Sequence, residues 1–147
     1  MRAADLMVEY PTVALSSPAI EAARLLAGSN LPGLIVVDDE DQPFAVLPGT
    51  QVLRLAVPSY CQDDPALARV IDESAADVFL NSLGDRTVRE CLPTEPRELP
   101  VVGPRATVLE LAALMARARS PLVAVVDHER LIGAVTLDRL LDRVLAS

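Results

Sequence analysis

The sequence predicts an α/β fold of two similar halves, each in the order β-α-β-β-α. Short apolar, β-branched runs alternate with segments of helical period. Residues 11–38 align without a gap with residues 100–127 at an offset of 89, and each match continues into a polar turn, an apolar run and a helical segment. A period of about 90 residues is too long for a solenoid repeat, so it indicates two half-domains.

Identical residues are spread over the whole aligned window. They include Pro11 and Pro100 at its start, and Asp38 and Asp127 at its end. One extra residue in the first hairpin turn then sets Ala45 opposite Gly133. We therefore predict a first half over residues 1–55, a helical insert over 56–86 without a counterpart, and a second half over 87–147.

Local signals place the elements of the two halves. Ser17 is the predicted N-cap of a helix that runs to Ala27, and Thr50 is a candidate cap for a helix that ends near residue 55. Thr107 and Glu110 form a capping box. In the insert, helices are expected from Asp64 and over residues 75–83. The last helix begins at Leu137, and its apolar face contains Leu137, Leu140, Leu141 and Val144.

Composition limits the classes of function. The chain of 147 residues is 51% hydrophobic and only 3% aromatic, which predicts an aliphatic core with some helix faces covered by a second copy in a homodimer. No apolar run reaches the length of about 18 residues that a membrane span needs, and the N-terminus does not resemble a signal peptide. Cys61 and Cys91 neither form a disulfide framework nor show metal-ligand spacing, so a cytoplasmic location is expected. The formal net charge of −8 argues against nucleic-acid binding.

The duplicated pattern resembles the CBS domain, named after cystathionine β-synthase, two of which in tandem form a Bateman module. The resemblance implies two halves packed with pseudo-twofold symmetry. It also implies a regulatory role, with clefts between the halves that hold adenosine-containing ligands such as AMP, ATP or S-adenosylmethionine. It also implies a homodimer built as a disc of four halves, and a transporter or a metabolic enzyme as the regulated partner. The residues that carry it are Ala4 to Met7, Glu21 to Ala23, Leu31 and Pro32 with Val36 to Asp38, and Gly133 to Thr136.

Carried onto this sequence, the resemblance predicts a ligand site in the second half. Thr136 would contact phosphate at a helix N-terminus, but Arg139 stands where the family has a ribose-binding Asp, and Asp138 lies one position early. In the first half Ala45, Pro48 and Gln51 replace the family's Gly, Thr and Asp. The predicted ligand-binding residues are Val101, Pro121, Leu122, Gly133, Thr136, Asp138 and Arg139.

Several of these residues also have purely structural interpretations. Thr136 could simply cap the last helix, with Arg139 on a solvated face, and Asp38 and Asp127 are typical turn residues. His128 is expected at the surface and the two cysteines in the core. The sequence contains no set of residues typical of a catalytic or metal site, so we expect no enzyme activity. The alternative function is a ligand-free dimerisation or interaction module.

Overall fold

Two three-stranded sheets of the same topology form the centre of the computed structural model, which describes residues 1–28, 31–56, 62–66, 81–96 and 98–146. In each sheet the first strand is parallel to the second, and the second is antiparallel to the third. Both sheets change register at equivalent points, between Val36 and Val37 and between Val125 and Val126. The predicted pair of α/β halves is confirmed.

The elements follow the predicted order closely. The first part of the chain contains α1 (Ala3–Leu6), β1 (Thr12–Ala14), α2 (Ala19–Ala27), β2 (Leu34–Val37), β3 (Pro43–Leu47) and α3 (Gly49–Ala56). A 3₁₀ helix (Ser82–Asp85) precedes the second part, which contains α4 (Val88–Cys91), β4 (Val101–Val102), α5 (Val108–Ala118), β5 (Leu122–Asp127), β6 (Arg130–Thr136) and α6 (Leu137–Ala146).

Most of the predicted insert, including Cys61 and residues 75–80 of the helix expected over 75–83, lies outside the described residues. The division into residues 1–55, 56–86 and 87–147 therefore stays a prediction.

The short helices α1 and α4 each pack on the opposite half of the molecule. The amide of Ala3 donates to the carbonyl of Ala106 at 2.8 Å, and at the equivalent place Val88 donates to Ser17 at 2.8 Å. The side chains of Ala3 and Leu6 accordingly lie in the second core, with Leu111 and Val123. Each half thus completes its core with a helix that precedes the other half in sequence.

The two sheets pack face to face through a third apolar cluster. Ile35, Val37 and Val46 of the first sheet share this cluster with Leu122, Ala124 and Ala134 of the second. The alternate strand residues, such as Val36 and Val125, face the helices instead, because side chains alternate along a strand. Both sheets are therefore covered on two faces, which explains their nearly continuous apolar runs.

Turn residues behave as the sequence predicts, whereas two predicted caps are wrong. Asp38 accepts hydrogen bonds from the amides of Glu40 and Gln42 in the first hairpin turn. The N-cap of α2 is Pro18, and the hydroxyl of Ser17 instead accepts a bond from the amide of Ala14. Thr50 lies inside α3, which already begins at Gly49. The Thr107 cap is confirmed, since its hydroxyl accepts from the amide of Glu110 at 3.2 Å.

Candidate functional site

The corner between β6 and α6 is the best-defined part of the predicted site. The hydroxyl of Thr136 accepts a hydrogen bond from the amide of Arg139 at 3.4 Å and so caps α6. The amide of Leu137 donates to the carbonyl of Pro121 at 2.9 Å, which holds the start of α6 against the entry of β5. Leu122 is the strand partner of Thr136. The structure therefore brings Pro121, Leu122 and Thr136 together.

A crossing segment, residues 6–10, runs from α1 past this corner towards the first half. Val8 and Ala134 exchange backbone hydrogen bonds of 2.8 and 3.0 Å, so the segment extends the edge of the second sheet. The guanidinium Nε of Arg139 donates to the carbonyl of Leu6 at 2.8 Å. Arg139 is thus not simply a solvated surface residue, because it anchors the start of the crossing segment to the first turn of α6.

Gly133 makes the close approach of the crossing segment sterically possible. A Cβ at this position would lie 2.9 Å from the carbonyl oxygen of Val8 and 3.2 Å from the sulfur of Met7. Glycine lets another backbone approach a strand at this distance. The resemblance implied that Gly133 is a ligand residue. In the structure, the close packing of the crossing segment explains why this position is a glycine.

Tyr10, at the end of the crossing segment, fills the space between the two sheets. Its side chain is 8% exposed, and its hydroxyl donates to the carbonyl of Gly33 at the entry of β2. Burial raises the pKa of Tyr10 to about 12. The predicted site did not include Tyr10, but the internal alignment sets it opposite Leu99, which is buried in the same cluster.

The remaining predicted residues lie farther apart. Asp138 is exposed in the first turn of α6, and Val101 is half-exposed on β4. Gly133, Arg139, Val101 and Pro121 each border a different cavity. The structure thus brings Pro121, Leu122 and Thr136 together at the β6–α6 corner. The predicted residues as a whole do not line one cavity.

The equivalent corner of the first half has a different structure. Counted from the equivalent residues Ala3 and Val88, Pro93 takes the position of Val8, and it has no N–H with which to pair with the strand edge. A cavity of about 450 Å³ lies at this corner, lined by Val46, Pro48, Thr50, Gln51, Pro93 and Glu95. The side-chain amide of Gln51 donates to the carbonyl of Cys91. This bond is the counterpart of the bond from Arg139 to Leu6, so both corners keep it, whereas Pro93 cannot donate the bond that the amide of Val8 makes.

Comparison with known proteins identifies the family. The family model of the CBS domain matches residues 88–146. The crystal structure of a CBS domain-containing protein of unknown function from Kribbella flavida is 55% identical, covers 99% of each chain and has a TM-score of 0.91. The chain belongs to the CBS domain family. A search of curated proteins gave no match.

More distant structures share the CBS-pair fold. The CBS domain of a membrane protein from Sphaerobacter thermophilus is 20% identical over 97% of this chain and 86% of its own, with a TM-score of 0.72. CBSX2, solved in complex with AMP, is 20% identical over 99% of this chain and 96% of its own, with a TM-score of 0.66. CBS domain proteins are regulatory ligand-binding modules.

A cavity between the hairpin turns of the two CBS halves is acidic. It measures about 510 Å³ and its lining includes Glu9, Glu40, Asp41 and Glu129, with Arg130 as the basic residue. The side-chain amide of Gln42 donates to the carbonyl of Glu129 and so links the two turns. The acidic lining would repel an anionic nucleotide. The β6–α6 corner is therefore the candidate site for such a ligand, and this cavity is not.

The other reactive side chains of the CBS pair have structural roles. Cys91 is buried in the first core, and burial followed by the nearby Glu90 charge raises the pKa of its thiol. His128 is exposed in the second hairpin turn, as predicted. Among the described residues, no three Asp, Glu, His or Cys side chains are grouped so that they could hold a metal ion. No described helix has both the length and the apolar content that a membrane crossing requires.

Proposed function

We propose that this CBS pair is a regulatory module that binds an adenine nucleotide or a related adenosyl ligand between its halves. AMP, ATP and S-adenosylmethionine are the candidate ligands. The observation that carries the proposal is the β6–α6 corner, where the amino end of α6 and the guanidinium of Arg139 both belong to the first turn of one helix. The AMP complex of CBSX2, a protein of the same fold, supports the choice of an adenosyl ligand.

The corner suits an anion for two physical reasons. The amino end of a helix carries partial positive charge. Arg139 adds a full positive charge in the first turn of α6, where the helix dipole itself disfavours a cation. Asp138 in the same turn supplies one negative charge, and a phosphate bound there would compensate the positive charge that is left. The bond to Leu6 uses only Nε of Arg139, and a guanidinium has five N–H donors in all.

Binding at this corner would be linked to the arrangement of the halves. The crossing segment contacts Arg139 and Ala134 in the second half and ends with Tyr10 bonded to Gly33 in the first. A ligand shifts a protein between two arrangements only by binding one of them more tightly. We propose that the regulated partner is a transporter or a metabolic enzyme, and that the chain acts in the cytoplasm as a homodimer without catalytic activity of its own.

Isothermal titration calorimetry with AMP, ADP, ATP and S-adenosylmethionine tests the proposal. We expect one member of the panel to bind, and both Thr136→Ala and Arg139→Gln to weaken it at least about tenfold, equivalent to about 1.4 kcal/mol. Thr107→Ala is the matched control, because it also removes a threonine cap but at α5. Binding that is unchanged in Thr136→Ala and Arg139→Gln would refute the site.

A ligand-free interaction module is the second candidate, and Tyr10 favours it. The ring of Tyr10 lies in the apolar cluster between the sheets, and its hydroxyl is satisfied by Gly33. A ligand that needs this space would have to displace a buried, hydrogen-bonded side chain. If no heat is released with any compound of the panel, the interaction module becomes the better explanation.

A further inference from the structure

The outer edge of β3 in the first sheet has no strand partner among the described residues. In the central strand β2, Val37 faces β1, because its carbonyl accepts the amide of Leu15 at 3.1 Å. The direction of hydrogen bonding alternates along a strand, so Ile35 also faces β1. Its β3 partner Val46 therefore directs its N–H and C=O away from β2, although it is only 2% exposed. Because a buried backbone group without a partner is costly, this edge favours a chain segment that can pair with it.

The second half shows what such an edge accommodates. Ala134 takes the position equivalent to Val46, and it exchanges two backbone hydrogen bonds with Val8 of the crossing segment. The bridge between them is antiparallel. Val8 and Tyr10, two residues apart, both pack in the apolar cluster between the sheets. An extended segment with apolar residues at alternate positions therefore fits this edge.

In the first half, residues 93–96 form a strap that lies beside the edge without pairing with it. Pro93 has no N–H to offer, and together with Val46 it lines the cavity of about 450 Å³ at this corner. Leu92, directly before the strap, packs against the first core, whereas Pro93 itself is exposed. No backbone hydrogen bond joins these described residues to β3. The strap thus covers the edge but does not satisfy it.

Charge selects the kind of segment that this edge attracts. Residues 1–86 contain thirteen acidic residues and five arginines, which gives a net charge of −8. Glu95 lines the cavity beside Val46, and the hairpin turn at the other end of β3 carries the exposed residues Glu40 and Asp41. A basic segment is therefore attracted along the edge, whereas an acidic segment is repelled.

We propose that the edge of β3 is a docking site for an extended, basic segment of a partner protein, which displaces the strap and adds as an antiparallel strand. Val46 supplies one donor and one acceptor to this segment, as Ala134 does to Val8. The inference rests on the regulatory role proposed above, since the partner is the protein that this module regulates. It needs no ligand at the β6–α6 corner.

Titration of the full chain with a synthetic peptide, followed by nuclear magnetic resonance, tests the proposal. The probe is Arg-Leu-Met-Val-Arg-Tyr with blocked ends, which copies residues 5–10 with both acidic residues replaced by arginine. We expect saturable shifts of the Val46 amide signal. N-methylation of the peptide valine should weaken binding at least about fivefold, because it removes one hydrogen bond to Val46. A peptide with glutamate in place of both arginines should bind at least about tenfold more weakly.

Pro93→Val closes the edge with the chain itself. The substitution restores the N–H that Val8 has in the second half, so the Val46 amide should exchange at least about tenfold more slowly with solvent. The peptide should bind at least about tenfold more weakly, because the strap now competes for the same bonds. Pro96→Val is the matched control, since Pro96 belongs to the strap but does not line the cavity, and it should change neither quantity. Circular dichroism checks that both variants fold.

The outcomes separate this inference from the proposed ligand site. A wild-type Val46 amide that is as well protected as the amide of Ala134 would show that the edge is already closed, and overturns the docking site. Absence of peptide binding overturns it too, as does binding that neither N-methylation nor Pro93→Val weakens. The calorimetric panel can fail without affecting this titration, and the titration can fail without affecting ligand binding at the β6–α6 corner.

Discussion

The substitution Gly133→Ala tests whether the crossing segment closes the edge of the second sheet. The added methyl carbon would lie 2.9 Å from the carbonyl oxygen of Val8 and 3.2 Å from the sulfur of Met7. The Met7 side chain is flexible and can move. The Val8 oxygen cannot move freely, because it accepts the amide of Ala134 at 3.0 Å. The substitution must therefore push the segment away from β6.

The expected loss follows from the contacts at this point. Two backbone hydrogen bonds join Val8 and Ala134, and each contributes about 1 kcal/mol net. Overpacking a close contact costs about 1–3 kcal/mol. We expect the free energy of unfolding to fall by about 3–5 kcal/mol, measured by urea denaturation. Hydrogen exchange should also show that the amides of Val8 and Ala134 lose protection.

Gly103→Ala provides the control for this experiment. A Cβ at Gly103 would meet no atom within 4 Å, and its φ is not positive. We expect its stability to change by no more than about 0.5 kcal/mol. If Gly133→Ala proves as stable as Gly103→Ala, the close approach of Val8 to β6 is refuted.

Three further predictions concern other contacts. Tyr10 has an ordinary pKa of 10.0, raised to about 12 by burial, so its contribution to stability is complete below pH 10 and is lost as the pH rises to 12. Between pH 10 and 12 the wild type should therefore lose roughly 2 kcal/mol of unfolding free energy that Tyr10→Phe does not lose. An identical pH dependence of stability in the wild type and the variant would contradict the burial of Tyr10. Leu83→Ala should lower the free energy of unfolding by about 2–5 kcal/mol, because Leu83 is 2% exposed; a loss below about 1 kcal/mol in denaturation would show that it is not a core residue. Thr107→Ala should lower the same quantity by about 1 kcal/mol, and no change would contradict its cap of α5.

The sequence predicted the strands well because their apolar runs are bounded by clear turns. The runs that became β2, β3, β5 and β6 are separated by polar residues, and the duplication supplied each assignment twice. Caps were harder, because a hydroxyl side chain near a helix start can bond elsewhere or lie inside the helix. At α2, the Ser17 hydroxyl bonds back to Ala14, so Pro18 takes the cap position without a side-chain bond.

The crossing of α1 and α4 could not be predicted from the alignment. Val88 aligns with Ala3 whether each short helix packs on its own half or on the opposite one. Similarity between two segments does not reveal on which half each of them packs. For the same reason the predicted site included Thr136 and Gly133 but not Tyr10. The contact between Tyr10 and Gly33 joins residues 23 positions apart and depends on the path of the crossing segment.

The exchanged helices predict that the two halves fold only together. A fragment of residues 87–147 would contain α4, whose side chains belong to the first core, and would lack Ala3 and Leu6 of the second. It would also expose Leu122 and Ala134, which the first sheet covers. Loss of a buried leucine alone costs about 2–5 kcal/mol, against a total stability of about 5–15 kcal/mol for a typical domain. We therefore expect the fragment to show no cooperative thermal transition, and co-expression with residues 1–86 to restore one. A fragment that unfolds cooperatively by itself would show that the second half does not depend on α1.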